Sequence, residues 1–274
     1  MSATAPIMPM VSAPWSSANG NPLSVTPLPG LRSEVIDALE CSHPGLVSPS
    51  MKALLSGCCG LAGTELGSID FTGCWFLEEP YSVFRPALTL AVDGAERRWI
   101  AEIGNGELPG PIWCVFPEPE VAVYVSDHLT DFVATIHDHT TRGDMQAWLH
   151  GLTGQARTVW ARRHASALRP HDAARADRAI RGWLAGLPSG AYVYDLRTQG
   201  MTRGWPYGAA GPSARMYRCG RLPVFAVAGL PAEGWREPRP RSRGATLRAP
   251  VTAAPCFNRP TRHDETTWEA RRCA

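Results

Sequence analysis

The sequence predicts an α+β fold built on a mixed or antiparallel sheet of about four to six strands flanked by helices. Two helical patterns come before residue 61, alternating strand patterns fill residues 86–125, and another helical pattern follows them. Helices that precede and follow a run of strands, rather than alternating with single strands, are typical of α+β proteins. The chain has 274 residues, of which 44% are hydrophobic, so it can form one large domain or two small ones.

The first elements are predicted from punctuation and periodicity. Met1 to Gly30 mixes Pro, Ser, Ala, Asn and Gly without a sustained period, which predicts a disordered leader. After a first short helix, a second is expected in which Ser48 caps the start, Pro49 occupies the first turn and Gly57 marks the end. Residues 61–84 are Gly-rich and are expected to be irregular.

The strand region begins after this Gly-rich stretch. Alternating apolar residues on both sides of Asp93-Gly94 predict a β-hairpin. Further strands are expected over residues 112–116 and 121–125, separated by the corner Pro117-Glu118-Pro119-Glu120, where proline cannot complete a regular ladder. Ser126 is then expected to cap a helix with one apolar face.

A smaller α+β extension is predicted for residues 141–230. Helical patterns surround Met145 and residues 176–187, a strand pattern covers residues 191–197, and a closing pair of strands is expected around Gly220. The extension is too short for a confident independent core, so we expect it to pack on the domain before it.

The patterns divide the chain into four segments, namely a leader (1–30), a first domain (31–140), the extension (141–230) and a Pro/Arg-rich disordered tail (231–274). No export signal is recognisable, and no apolar run approaches the roughly 20 residues that a spanning helix needs. The formal charge of +2 gives no global argument for nucleic acid or an anionic membrane as a partner. We therefore expect a cytoplasmic protein that binds neither.

Residues with catalytic chemistry are present but form no complete motif. His137 and His139 suggest a metal site, but two positions apart on a helix they point to different sides, and no third ligand has suitable spacing. Asp127 and His128 would suit an acid–base pair, although a surface histidine at a helix start is the favoured interpretation. The sequence has no nucleophile elbow, phosphate loop or dinucleotide motif. No enzymatic activity, metal or cofactor is therefore expected.

The cysteines are interpreted as reduced thiols. All eight lack zinc-ligand spacing, and Cys114 and Cys219 lie within predicted strands as small apolar residues. A catalytic thiol would need a partner base, and buried or unreactive thiols are the favoured interpretation.

Acidic residues accompany the predicted turns. Glu78 and Glu79 precede the first strand, Asp93 lies in the hairpin turn, and Glu118 and Glu120 frame the proline corner. Charged loops are usually only solvated, but such a set also suits a basic protein partner. These five residues are the predicted partner-binding residues.

The order of elements and several short stretches resemble the SUKH superfamily, which includes fungal regulators of cell-wall synthesis and many bacterial immunity proteins. The resemblance covers roughly residues 31–139 and rests on Pro49 to Gly57, on Leu90 to Gly94 with Trp99-Ile100, and on Val121 to Phe132. Residues 187–227 are similar to a C-terminal extension of some bacterial members. One departure is Gly57-Cys58-Cys59-Gly60, which stands where a small-polar Asn-Gly is usual.

The resemblance implies a non-enzymatic protein that neutralises a bacterial polymorphic toxin, such as a nuclease or deaminase, in the cytoplasm. The implied mechanism is occlusion, in which an edge of the sheet and its loops cover the active site of a basic toxin domain. A regulatory scaffold of the SUKH type is the alternative, and it predicts that deleting Met1 to Gly30 or Leu230 to Ala274 abolishes partner binding, whereas an immunity role predicts little change. An enzyme using Asp127, His128 or a cysteine is the last alternative.

Overall fold

The computed structural model describes residues 7–73, 81–84, 86–103, 108–172, 177–197, 203–211 and 214–229. The chain divides into two compact units, Met1–Leu230 and Pro231–Ala274, and all described residues belong to the first. The helices are α1 (Met8–Val11), α2 (Ser33–Ser42), α3 (Pro49–Gly57), α4 (Leu129–Arg142), α5 (Met145–Ala161) and α6 (Arg181–Ala185), with a 3₁₀ turn at Tyr81–Phe84. The strands are β1 (Thr26–Pro29), β2 (Cys58–Thr64), β3 (Gly67–Asp70), β4 (Ala87–Val92), β5 (Arg98–Glu102), β6 (Ile112–Pro117), β7 (Glu120–Ser126), β8 (Tyr192–Asp195), β9 (Gly204–Trp205), β10 (Arg215–Arg218) and β11 (Val224–Ala228).

These strands form three antiparallel sheets. The central sheet has the order β4-β5-β6-β7-β9, and the two smaller sheets have the orders β1-β2-β3 and β10-β11-β8. The α+β class is therefore confirmed, and the five-stranded sheet has a size within the predicted range. The hairpin at Asp93-Gly94 joins β4 to β5, as expected, with Val92 opposite Arg98.

Both faces of the central sheet are buried. On one face, Trp99 and Cys114 belong to a core shared with α2 to α5 and the β1-β2-β3 sheet. On the other face, Ile100 and Trp113 belong to a second core with Phe225 and other residues of the β10-β11-β8 sheet. Because successive side chains of a strand point to opposite faces, strands β5 to β7 supply both cores at once.

The C-terminal part of the unit adds a layer and a strand to the central sheet. The β10-β11-β8 sheet carries Ile180 and Leu184 on its outer face, and β9 pairs with β7 through Ala122 and Trp205. Strand pairing around Gly220 occurs where the sequence predicts it. The segments predicted as a first domain and an extension therefore share their cores within one unit.

The expectation of a disordered leader is wrong for residues 7–30. Ile7, Val11, Trp15 and Val25 are buried in the first core, and β1 pairs with β2. The indole N–H of Trp15 donates a hydrogen bond of 2.7 Å to the carbonyl of residue 10. The prediction failed because these apolar residues are single and separated by prolines and serines, so no helix or strand period signals their burial.

The Gly-rich stretch expected to be irregular contains β2 and β3. Ile69 and Phe71 are fully buried, and β2 pairs with β1 on one side and β3 on the other. A Cβ atom on Gly60 would clash with the carbonyl oxygen of Ile69, so glycine allows the two backbones to approach closely. Glycines in this stretch therefore mark a tightly packed strand rather than a loop.

The helix starts agree with the sequence in one case and differ in another. Ser48 caps α3 as predicted, because its hydroxyl accepts a hydrogen bond of 3.1 Å from the Met51 N–H. The N-cap of α4 is His128, so the prediction that Ser126 caps this helix is wrong. Ser126 instead ends β7 and donates its hydroxyl to the carbonyl of His128, at 3.2 Å.

A buried ion pair joins the central sheet to the β10-β11-β8 sheet. The carboxylate of Glu102 lies 2.6 Å from Arg218 Nη1 and accepts a 2.6 Å hydrogen bond from the indole N–H of Trp113. Only about a tenth of either charged side chain is exposed. Burial raises the pKa of Glu102, and Arg218 opposes this rise by favouring the carboxylate.

Replacing Trp15 by alanine tests whether the N-terminal segment belongs to the core. We expect the free energy of unfolding to fall by about 3 kcal/mol, because a buried ring is lost and a cavity remains. Urea unfolding followed by circular dichroism measures the change. Asn19→Ala, at an exposed position of the same segment, is the control and should differ by less than about 0.5 kcal/mol. Unchanged stability of Trp15→Ala would contradict the assignment.

Replacing Arg218 by methionine tests the ion pair. We expect a loss of about 3–5 kcal/mol at pH 8, because Glu102 is left buried without its cation. The pKa of Glu102 is higher in the folded protein than in the unfolded chain, so protonation of Glu102 favours the folded state. This stabilisation is fully present below the unfolded-state pKa and is lost as pH rises through the folded-state pKa. The deficit relative to wild type should therefore shrink when unfolding is measured at pH 5.

The double variant Glu102→Gln/Arg218→Met is the matched control for this experiment. It removes the buried charge together with its partner, so it should be more stable at pH 8 than Arg218→Met alone. A deficit that is independent of pH, or a double variant less stable than the single one, would contradict the role given to the pair.

Candidate partner-binding surface

The turn between β6 and β7 carries two acidic residues. Pro117 pairs with Glu120, so Glu118 and Pro119 form the two-residue loop between the strands. Glu118 and Glu120 are both exposed. We call residues 117–120 the acidic turn. The sequence predicts this feature, and the structure places it at one end of the central sheet, between β6 and β7.

A distant segment of the chain holds the acidic turn in place. The hydroxyl of Tyr207 donates a buried hydrogen bond of 2.8 Å to the carbonyl of Phe116, and the N–H of Gly208 donates one of 3.2 Å to the carbonyl of Glu120. A Cβ atom on Gly208 would clash with the Glu120 side chain, so this carboxylate group lies directly against the glycine. The turn is therefore supported by tertiary contacts as well as by its own strand pair.

A surface groove of about 520 Å³ lies near the other end of β7. It is lined by Tyr124, Val125, Thr135, Trp148, Leu152, Gln155 and Arg203. The guanidinium of Arg203 lies 5.2 Å from the centre of the Tyr124 ring, and burial together with nearby Asp127 raises the pKa of Tyr124 well above its usual value. The segment 203–208 borders the groove at Arg203 and the acidic turn at Gly208, so both features lie along β7.

Asp93 requires a correction. Its carboxylate is 1% exposed and accepts hydrogen bonds from Arg97 Nε at 2.7 Å and from the indole N–H of Trp99 at 3.0 Å. Arg97 also lies 3.4 Å from the carbonyl of Leu149 in α5. Asp93 therefore shapes the β4–β5 hairpin and fixes it to α5, and the expectation that it belongs to an exposed contact surface is wrong.

The other predicted acidic residues, Glu78 and Glu79, lie outside the described residues. The structure thus leaves Glu118 and Glu120 as the two predicted partner-binding residues that it describes and finds exposed.

The two histidines considered as metal ligands have different neighbours. The ring of His137 lies 4.9 Å from that of Trp15, edge to face. His139 Nδ1 lies 2.7 Å from a carboxylate oxygen of Asp144, and its ring stacks on Trp148. The hydrogen bond with His139 lowers the pKa of Asp144. Within the described ranges, no three or more His, Cys, Asp or Glu side chains are grouped so that they could hold a metal ion.

Among the cysteines that the structure describes, Cys58, Cys114 and Cys219 are free thiols. Burial raises the pKa of Cys58, which donates its thiol to the carbonyl of Gly60, and raises that of Cys114 well above its usual value. A raised pKa disfavours the nucleophilic thiolate, as in an ordinary core cysteine.

Sequence reasoning missed the residues that support the acidic turn. The sequence predicts that Tyr207 and Gly208 belong to an extension, and no local pattern connects them to Phe116 or Glu120. The available signal was the run Gly204-Trp205-Pro206-Tyr207-Gly208, whose aromatic and glycine residues are typical of close packing between segments.

No protein-family model matches this chain, and no curated protein or solved structure matches it either. The resemblance to the SUKH superfamily consequently stays a prediction from the residues, while the α+β class follows from the structure. Where the chain is described, no helix combines the length and apolar character needed to cross a lipid bilayer.

Replacing Tyr207 by phenylalanine tests the support of the acidic turn. We expect a loss of about 1–2 kcal/mol in the free energy of unfolding, because the buried carbonyl of Phe116 loses its donor. Hydrogen exchange of the β6 and β7 amides should also become faster near the turn. Tyr217→Phe, at a half-buried position of β10, is the control. Unchanged exchange at the turn in Tyr207→Phe would show that the bond does not hold it.

Proposed function

We propose that this protein is a non-enzymatic, immunity-type protein that binds and neutralises a bacterial toxin domain in the cytoplasm, with the acidic turn as its contact surface. The observation that carries the proposal is the exposed pair Glu118 and Glu120 on a turn held by Tyr207 and Gly208. The resemblance of residues 31–139 to SUKH proteins supports the class.

The geometry of the acidic turn suits recognition of a basic surface. Two exposed acidic residues on one turn favour encounter with a cationic partner and disfavour partners with the same charge. Because the turn is held by buried contacts, little conformational freedom is lost when a partner binds. Nuclease or deaminase toxins that bind nucleic acid would offer a cationic site of the required kind.

The proposed occlusion does not use strand addition at the β7 side of the central sheet. The β7 edge of the central sheet is already paired with β9, so an added strand from a partner cannot use that position. Contact through the turn and neighbouring loops is therefore proposed in place of strand addition at this edge.

A regulatory scaffold is the second candidate function, and the groove favours it. The groove and the acidic turn lie along the same strand, β7, and offer surfaces of different chemistry. A scaffold that engages two partners, or two segments of one partner, would use both.

Charge reversal of the acidic turn tests the proposal. The protein is co-expressed with the product of the neighbouring upstream gene, and survival, co-purification and association kinetics are measured. Glu118→Lys/Glu120→Lys should slow association at least about tenfold at low salt, with a smaller effect at high salt. The control is Glu34→Lys/Asp37→Lys, which reverses two exposed charges on α2 and should bind as the wild type does.

The outcomes separate the parts of the proposal. Absence of both binding and protection by the wild-type protein would contradict the immunity function. Protection that survives reversal of Glu118 and Glu120, in a variant with wild-type stability, would contradict the acidic turn as the contact surface.

A further inference from the structure

Strand β10 forms one edge of the β10-β11-β8 sheet. It pairs with β11 on one side, and no described strand pairs with its other side. The N–H of Cys219, just after β10, donates a hydrogen bond of 3.0 Å to the carbonyl of Val224 in β11. Because backbone groups alternate in direction along an antiparallel strand, the odd-numbered residues here direct their N–H and C=O groups to β11. Those of Met216 and Arg218 face outward.

The outward-facing backbone groups of β10 are largely without hydrogen bonds. The carbonyl of Arg218 accepts one bond of 3.1 Å, from the N–H of Gly220 at the following turn. In the part of the chain that the structure describes, no backbone group bonds to the N–H of Arg218 or to either backbone group of Met216. We call these groups the open edge. A row of unpaired N–H and C=O groups is what an added strand recognises.

Two other edges of the smaller sheets are protected against strand addition. Along β8, Val193 and Leu168 exchange two backbone hydrogen bonds of 2.8 Å, so the outer side of this strand is occupied. The edge strand β1 contains Pro27 and Pro29, which have no N–H to donate. Strand β10 contains no proline, and no bridge to another described residue occupies its outer side. Of these three edges, β10 is therefore the one at which a strand can be added.

The side chains of β10 are held by the fold. Met216 packs against the second core, and Tyr217 packs against the cluster that contains Ile180. Arg218 Nη1 lies 2.6 Å from the carboxylate of Glu102, so the charge of Arg218 is balanced within the chain. The open edge is therefore a row of backbone groups in fixed positions, and little conformational freedom is lost when a strand binds there.

We propose that β10 pairs in antiparallel orientation with β10 of a second copy of this chain, so that two three-stranded sheets become one continuous sheet. Two identical antiparallel strands are related by a two-fold axis. With this axis at Tyr217, Met216 lies opposite Arg218 of the second copy, and the two residues exchange N–H···O=C bonds in both directions. Symmetry repeats this pair, so every group of the open edge is used. The inference does not depend on the function proposed above.

The side chains of β10 are complementary to their own copies in this register. Tyr217 lies opposite Tyr217 of the second copy, in a pair of residues whose Cα atoms are about 4.5 Å apart, and facing aromatic side chains stabilise paired strands. Arg215 lies opposite Cys219, so like charges are not directly opposed, and each Arg218 keeps its own Glu102. A surface that complements itself is what a two-fold interface requires, which favours a second copy over an unrelated strand.

Sedimentation velocity of the full wild-type chain gives the first test. Between about 1 and about 300 µM we expect a reversible equilibrium of monomer and dimer, because a short strand pair gives weak association. A monomer throughout this range would overturn the proposal. The same holds for a monomer whose β10 binds a different protein.

Two substitutions at one position locate the interface. Met216→Pro removes an N–H that donates across the dimer and should raise the dissociation constant at least about tenfold. Met216→Ala keeps this N–H while also shortening the side chain, and its dissociation constant should stay within about threefold of the wild-type value. Proline is tolerated in an edge strand where the N–H faces solvent, and urea unfolding checks that both variants fold. Equal dissociation constants for the two variants would overturn the proposal.

A disulfide tests the register and does not require the proline variant to fold. Mild oxidation of Tyr217→Cys should give a dimer linked through position 217, because residues opposite each other in a pair without hydrogen bonds lie within disulfide range. Ser68→Cys, at an exposed position of β3, is the control and should give no dimer linked through position 68. Peptide mass spectrometry identifies the links. Absence of the link at position 217, or equal linking at both positions, would overturn the proposal.

Discussion

The buried ion pair between Glu102 and Arg218 joins the central sheet to the β10-β11-β8 sheet. A carboxylate buried between two packed sheets needs a cation and further hydrogen-bond donors to offset the cost of its desolvation. For Glu102, Arg218 from β10 supplies the cation and Trp113 from β6 supplies an N–H donor. Without the β10-β11-β8 sheet, the second face of the central sheet would expose its apolar side chains and a carboxylate without its partner. The C-terminal segment is therefore a structural part of the central sheet.

Because the central sheet is covered, the surfaces it leaves for recognition are turns and helix ends. Both faces of the central sheet are buried, and β9 occupies the β7 edge, so little strand surface on that side is left for a partner. The acidic turn is held by this framework through Tyr207. The buried hydroxyl of Tyr207 donates to the backbone carbonyl of Phe116, so a rigid core positions this charged surface element.

Much of the fold could be predicted because its signals are local. The cap at Ser48, the alternation in β4 to β7 and the turn at Gly220 each depend on neighbours in sequence. The N-terminal segment and β2 were missed since their burial depends on distant contacts of single apolar residues and glycines. Asp93 shows the same limit at the candidate site, because turn chemistry predicts its position but not whether Arg97 and Trp99 enclose its carboxylate.

The burial of residues 7–30 changes how the two candidate functions can be separated. Deleting Met1 to Gly30 would remove Trp15 and β1 from the core, so the folded fraction would fall and binding would be lost whether the protein is an inhibitor or a scaffold. Surface substitutions avoid this ambiguity because they leave the core intact. An inhibitor that acts by occlusion requires the acidic turn, whereas a scaffold that engages two partners requires the groove at Leu152 as well. Independent loss of two binding activities, one from each surface, is therefore the property that only the scaffold has.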